Sequence, residues 1–244
     1  MSEPLTAEAM RAVEAAAIAS GAVTGLELME RAGRGVVEAL FERWPDLDGH
    51  PGRAVILCGP GNNGGDGFVI ARLLAARGWT IEVLFYGDPA RLPPDAATNR
   101  DRWLSTGAVA TLPFPESGAE GAARLAAALD GSPPAGLVVD ALFGTGLARP
   151  LSGLRPVFAV LAGRRAAPGA VRVVAVDLPS GLSSDDGTVV GGDPALALPA
   201  DLTVSFHALK RGHCRKDGPA LCGRTVVKNI GLARWDGAES GDGE

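Results

Sequence analysis

The 244-residue chain carries three segments in which glycine stands beside side chains able to bind or transfer charge. The first, Cys58 to Gly67, reads CGPGNNGGDG and joins an apolar run, Ala54 to Leu57, to the helical pattern that begins at Phe68. Glycine reaches positive φ without a Cβ penalty and lets a backbone approach a ligand closely. Between a strand and a helix start, such a loop turns free N–H groups toward an anion and the helix dipole adds to the attraction, which points to a phosphate-bearing ligand. The other two segments, Val138 to Gly146 and Val174 to Gly181, share one design: an apolar run ends in Asp140 or Asp177 and breaks into a glycine turn.

In a parallel sheet the carboxyl ends of the strands lie on one edge, where ligands bind. Asn63, Asp66, Asp140, Asp177 and Ser180 are therefore expected to be neighbours. Two carboxylates at a dry edge are costly unless hydrogen-bonded or paired with a cation, and no lysine or arginine within these motifs is placed to neutralise both. Amide, carboxylate and hydroxyl oxygens are hard ligands that suit K⁺, Na⁺, Mg²⁺ or Ca²⁺. Each segment also has a plainer reading. The first spells GxGxxG literally, yet the chain has 34 glycines, and either aspartate alone would serve to cap a turn. Ser180 lacks the GxSxG elbow, and His50, His207 and His213 stand outside the motifs, so a nucleophilic triad is disfavoured. Lys210, after the strand pattern TVSF, either points toward a ligand phosphate or is simply exposed. Cys214 and Cys222 beside His213 lack the close ligand pairs usual in zinc sites.

The elements that must position these groups alternate. Helical patterns cover Thr6 to Ala19 and Gly25 to Arg43, the second introduced by a capping-box spacing at Thr24 and Glu27. Strand patterns follow at Ala54 to Leu57, Thr80 to Tyr86, Val109 to Leu112, Gly136 to Val139, Arg172 to Val176, Thr203 to Phe206 and Thr225 to Lys228. Helical patterns at Gly67 to Arg77, Pro94 to Ser105, Ala119 to Leu129 and Leu154 to Arg164 separate the first five strands. Continuously apolar strands alternating with helices predict a Rossmann-like three-layer α/β/α sandwich with a mostly parallel sheet, preceded by two N-terminal helices. Residues 1–235 read as one domain, with a polar tail over 236–244 expected to be disordered.

Composition narrows the function classes. With 46% hydrophobic residues the chain can bury a sizeable core, and a net charge of −5 with interspersed signs offers no basic face for nucleic acid or anionic membrane. No apolar run approaches the roughly 20 residues that span a bilayer, and the start lacks a leader pattern, so a cytoplasmic protein is expected. Three irregularly spaced cysteines fit a reducing compartment, with Cys58 packing at a strand end. The apolar positions Leu26, Leu28, Met29, Val36, Val37, Leu40 and Phe41 exceed what one stripe against a sheet requires, which predicts a subunit interface on the second helix.

GNNGGDGFVIARLL, VDALFGTGL, VAVDLPSGL and TVSFHALKRG, in this order after the LMERAG helix, resemble the NAD(P)H-hydrate epimerase family, also called the YjeF N-terminal domain. The resemblance spans about Met10 to Leu232 and implies interconversion of the R and S forms of hydrated NADH or NADPH (NAD(P)HX), feeding an NAD(P)HX dehydratase to which family members are often fused. It further implies a homodimer and one K⁺ per subunit. By similarity Asn62, Asn63, Gly64, Gly65 and Asp66 bind substrate, as do Gly144, Thr145, Gly146, Leu147, Ala148, Arg149 and Pro150, and Asp177 contacts it. Asn63, Asp140 and Ser180 match the potassium ligands. Inverting a hydroxyl-bearing carbon needs a proton donor and acceptor, a role expected of Asp177 with Lys210 in reserve. Two other classes stay open: an NAD(P)-dependent oxidoreductase, for which Glu82 has the right distance from the glycine loop but stands at its strand's start, and a non-catalytic binding module of the same fold.

Overall fold

The computed structural model describes residues 3–106, 112–114, 118–167 and 170–237. Its strands are β1 (Arg53–Cys58), β2 (Thr80–Tyr86), β3 (Leu112–Phe114), β4 (Leu137–Ala141), β5 (Arg172–Val176), β6 (Leu202–Phe206) and β7 (Arg224–Lys228). The helices are α1 (Ala7–Ala19), α2 (Gly25–Arg43), α3 (Asn62–Ala75), α4 (Pro94–Leu104), α5 (Gly118–Leu129), α6 (Arg155–Ala166) and the single turn α7 (Gly218–Leu221). Of the expected strand Val109 to Leu112 only Leu112 is among the described residues, and 238–244 of the polar tail lie outside them.

The strands form one sheet in the order β3-β2-β1-β4-β5-β6-β7, every neighbouring pair parallel. Alternate side chains feed two cores, as the period of a strand requires. Ile56, Cys58, Val83, Val139 and Val176 pack under α1 to α4, while Val55, Leu57, Val138, Val173 and Ala175 pack against α5 and α6. The chain reverses its direction of travel across the sheet between β1 and β4, so the connections leaving these strands diverge to opposite faces. The backbones meet there, with the Gly59 N–H donating to Ala141 O at 2.9 Å. This is the switch point at which open α/β sheets bind ligands.

Two sequence-based expectations change. The glycine segment is not a loop: α3 begins at Asn62, five residues before the helix expected from Gly67, and none of Gly59, Gly61, Gly64, Gly65 or Gly67 has a positive φ. Their reason is close approach within the protein. A Cβ on Gly64 would sit 2.0 Å from Gly59 O, on Gly65 2.5 Å from Met29 Sδ, and on Gly67 2.7 Å from Cys58 Sγ. The glycines let α3 lie directly on β1 and α2, with its first turn at the switch point.

The second change concerns α2. Its capping box forms as expected, Thr24 N–H donating to Glu27 Oε2 at 2.7 Å and Glu27 N–H to Thr24 Oγ1 at 3.2 Å. The surplus of apolar positions is absorbed inside the chain, because Leu28, Met29, Val36, Val37 and Leu40 are all buried in the core shared with α3 and the sheet. A helix clasped between α3 and strands β6 and β7 has more than one apolar face, so most of these positions are used within the chain, with Leu26 and Phe41 left half-buried.

Candidate active site

Asp177 follows β5 in a left-handed backbone conformation, φ +63°. That conformation is strained for a residue with a side chain and persists only when its surroundings hold it. Two groups do so: the Asp177 N–H donates to Val204 O at 2.9 Å, and the Asp177 carbonyl accepts from His213 Nε2 at 2.8 Å. His213 Nδ1 in turn accepts the Lys210 N–H at 2.9 Å. The ring is thereby fixed as the neutral tautomer protonated on Nε2. Burial, only partly countered by the Asp177 charge, pushes the His213 pKa below its ordinary value.

Lys210 is neither exposed nor aimed at a ligand. It is 1% exposed, and its Nζ donates to Asp177 Oδ1 at 2.6 Å, Phe206 O at 3.0 Å and Ser205 Oγ at 3.1 Å. An ammonium has three donors, and all three are engaged, so Lys210 positions Asp177 rather than standing in reserve for it. Lying outside the three glycine motifs, it neutralises Asp177 but not Asp140. The backbone on both sides of Lys210 is tied to the N-terminal segment, Leu5 N–H donating to Leu209 O at 2.8 Å and Arg211 N–H to Leu5 O at 2.9 Å.

With Oδ1 held by Lys210, the second oxygen of Asp177 faces the β4 loop. A Cβ placed on Gly144 would meet Asn63 Oδ1 at 3.2 Å and Asp177 Oδ2 at 3.4 Å, so Asn63, Gly144 and Asp177 converge from three connections. Among the described residues Asn63 Nδ2 is buried with no hydrogen-bond partner, an uncommon state for a buried amide. In the expected second substrate loop Gly144, Thr145 and Leu147 are half-buried, whereas Gly146, Ala148, Arg149 and Pro150 are exposed.

Asp140, at 0% exposure, forms a pair with Ser180: Asp140 Oδ1 accepts from Ser180 Oγ at 2.6 Å and from Leu142 N at 3.2 Å, and Oδ2 accepts from Ser180 N at 2.8 Å. Burial raises the Asp140 pKa to about 6 against the pull of these hydrogen bonds, and it makes no ion pair with the described residues. Among the described residues no group of three or more His, Cys, Asp and Glu side chains is arranged to hold a metal, so a cation here would depend on amide, hydroxyl and carbonyl oxygens around the one carboxylate.

On the α2 side of the same edge lies a cavity of about 130 Å³ lined by Glu14, Met29, Asn62, Asp66, Asp95 and Phe206. Asp66 is 9% exposed, and burial, with the Asp177 charge adding, pushes its carboxyl well above the usual carboxylate range. Sequence reasoning missed Glu14 and His213. A signal for the first was present: Met10, Val13, Glu14 and Ala17 follow the i, i+3, i+4, i+7 spacing of a buried face, with an acid in one of its places. A larger cleft of about 280 Å³, lined by Arg43, Trp44, Arg165 and Arg172, lies at the amino ends of the strands, away from every motif.

The family model described as YjeF-related protein N-terminus matches residues 25–212. The chain belongs to that family. It is 48% identical over 234 residues to an NAD(P)H-hydrate epimerase of Roseobacter litoralis and 49% identical over 238 residues to one of Rhodobacter capsulatus, in both cases with 95% of this chain and all of the relative covered. A bifunctional NAD(P)H-hydrate repair enzyme of Thermofilum pendens is 38% identical, matching 85% of this chain but 36% of its own length. Among solved structures, yeast ynu0 superposes with a TM-score of 0.68 at 20% identity, covering 93% of this chain and 87% of that one, a likeness of fold. No described helix is long and apolar enough to cross a membrane.

The neutral, buried His213 gives a stability signature. Its proton is bound less readily in the folded state than in the unfolded chain, whose histidine titrates near 6.5. Stability is therefore intact above about pH 6.5 and is lost as pH falls below it. Denaturation midpoints at pH 7.5 and 5.5 are expected to differ more for the wild type than for His213→Gln. Equal losses would refute the buried neutral imidazole.

Proposed function

We propose that the chain is an NAD(P)H-hydrate epimerase acting on the R and S forms of hydrated NADH or NADPH. The observation that carries this reading is the convergence of Asn63 Oδ1, Gly144 and Asp177 Oδ2 at the switch point, in a chain whose full-length relatives bear that name. The α3 N-terminus supplies free N–H groups for a dinucleotide phosphate at the same edge. Glu82 argues against the oxidoreductase alternative: it sits mid-strand opposite Val55 and is taken up by Arg53.

The reaction inverts a carbon that carries a hydroxyl beside the ring nitrogen, so either that hydroxyl leaves and returns or the ring opens and recloses, and each route moves protons. Two carboxyl groups with separated environments divide such work. Asp177, paired with Lys210, offers Oδ2 as proton acceptor, and Asp66, whose carboxyl group burial biases toward the protonated form, donates to the departing hydroxyl. This reading moves the acid role from Asp177, where the sequence placed it, to Asp66.

K⁺ is part of the proposal, held by Asn63, Asp140 and Ser180. The donors are hard oxygens and Asp140 is a buried carboxylate without a cationic partner among the described residues, which fits a weakly hydrated monovalent ion. Bound there, the ion would supply a fixed positive charge between the β1, β4 and β5 connections. The protein's dimeric state rests on family resemblance, and light scattering should give about twice the 24.8 kDa chain mass. The Thermofilum relative, in which repair activities share one chain, supports functional coupling to a dehydratase.

Incubation with mixed hydrated NADH epimers and an S-specific dehydratase tests the reading. Complete conversion is expected with the protein, and a residue of the R form at its slow spontaneous drift would refute it. Asn63→Ala and Asp140→Ala, and replacement of K⁺ by tetramethylammonium, should each slow conversion and lower the melting temperature. Identical behaviour across the swap would exclude the ion.

A further inference from the structure

The cavity beside Asp66 has walls of two kinds. Leu28, Met29 and Phe206 are apolar, while Glu14, from α1, and Asp66, from α3, bring carboxyl groups. Neither makes a hydrogen bond or ion pair with the described residues, although Asp66 is more than nine-tenths buried. An unpartnered carboxyl group in a mostly enclosed place costs stability, and the fold has alternatives: Glu14, itself half-buried, follows the spacing of the buried positions Met10, Val13 and Ala17 of α1. α1 itself is seated firmly, capped by Thr6 Oγ1 on Ala9 N–H at 3.0 Å and pinned by Ala7 N–H to Asp185 Oδ1 at 2.7 Å.

About 130 Å³ is too little for a dinucleotide, but the cavity opens to the outside and can take one end group of such a ligand with part of that group left outside. The hydrated nicotinamide ring has two hydrogen-bond donors, the carboxamide NH₂ and the hydroxyl, on carbons that stand across the ring from each other. Two unpartnered carboxyl groups on different helices answer these groups on opposite ends of one ring, Glu14 as acceptor for the carboxamide N–H and Asp66 as donor to the hydroxyl oxygen. We infer that this cavity receives the hydrated ring and that Glu14 accepts the carboxamide N–H, leaving the hydroxyl to Asp66. Glu14 lies outside the 25–212 span of the family model, so the assignment comes from the cavity alone. The inference rests on the epimerase reading and deepens it: Glu14 sets the orientation of the ring before any proton moves.

The test compares two probes, hydrated NADH and ADP-ribose, the second being the same dinucleotide without its ring. In calorimetric titrations Glu14→Ala is expected to bind hydrated NADH about 10-fold more weakly, the worth of one hydrogen bond to a charged group, and ADP-ribose as the wild type does. Glu14→Gln, which keeps an acceptor oxygen, should recover most of the loss. Because no protein partner is removed, the melting temperature of Glu14→Ala should equal or exceed that of the wild type. Unchanged affinity for hydrated NADH, or an equal fall for ADP-ribose, would overturn the inference while leaving the epimerase reading intact. Failure of the wild type to bind hydrated NADH would overturn both.

Discussion

Asp177→Asn should lower epimerisation by about 100-fold or more, the usual contribution of a positioned acid–base group. It should also do what the sequence did not foretell and destabilise the fold. Asp177 and Lys210 are 8% and 1% exposed and meet at 2.6 Å, so the substitution leaves a buried ammonium without its counter-charge. Breaking one side of a buried pair costs about 3–5 kcal/mol, on the order of 10 °C in melting temperature for a chain this size. Chemistry and stability can be separated. Adding Lys210→Met to Asp177→Asn removes the stranded charge, and the double variant should regain most of the melting temperature while remaining inactive. Activity within a few-fold of wild type in the single variant would remove Asp177 from the mechanism.

Gly64→Ala should be strongly destabilising although it is a conservative change. In an ordinary helix interior, alanine is better than glycine by about 1 kcal/mol. Here the new methyl would lie 2.0 Å from Gly59 O and 2.9 Å from Gly59 N, both backbone atoms that cannot swing aside. The first turn of α3 must then lift off β1, at a cost of about 3 kcal/mol or more, and with it go Asn62, Asn63 and Asp66. Gly61→Ala is the control: φ is −120° and nothing lies within 4 Å of the added methyl, so its effect should stay within about 1 kcal/mol. Chemical denaturation of both variants decides the matter, and a Gly64→Ala protein as stable as Gly61→Ala would contradict the packing account.

The parts of the fold legible in the sequence were those governed by local pattern. β2 and β5 run over the residues their apolar content predicts, and the capping box at Thr24 marks the start of α2 to the residue. The start of α3 was misread because Gly64, Gly65 and Gly67 have poor helix propensity and owe their places to neighbours far along the chain. The same limit hid the support of Asp177. His213 and Lys210 are separated from it by over thirty residues, and only the return of the chain from β6 brings them beneath it. The aspartates themselves were legible because the end of a buried parallel strand is a place that topology fixes. Lys210 was read as exposed because a charged residue outside a strand has no local mark of burial.

The bridge between Leu5 and Lys210 joins the beginning of the described chain to the floor of the site. Opening of this bridge and loosening of the Lys210 backbone are the same event, because the two hydrogen bonds that define one define the other. The order of the Asp177 carboxylate is thus tied to a segment more than 170 residues away along the chain, and amide exchange at Leu5 and Arg211 should rise together whenever the bridge opens.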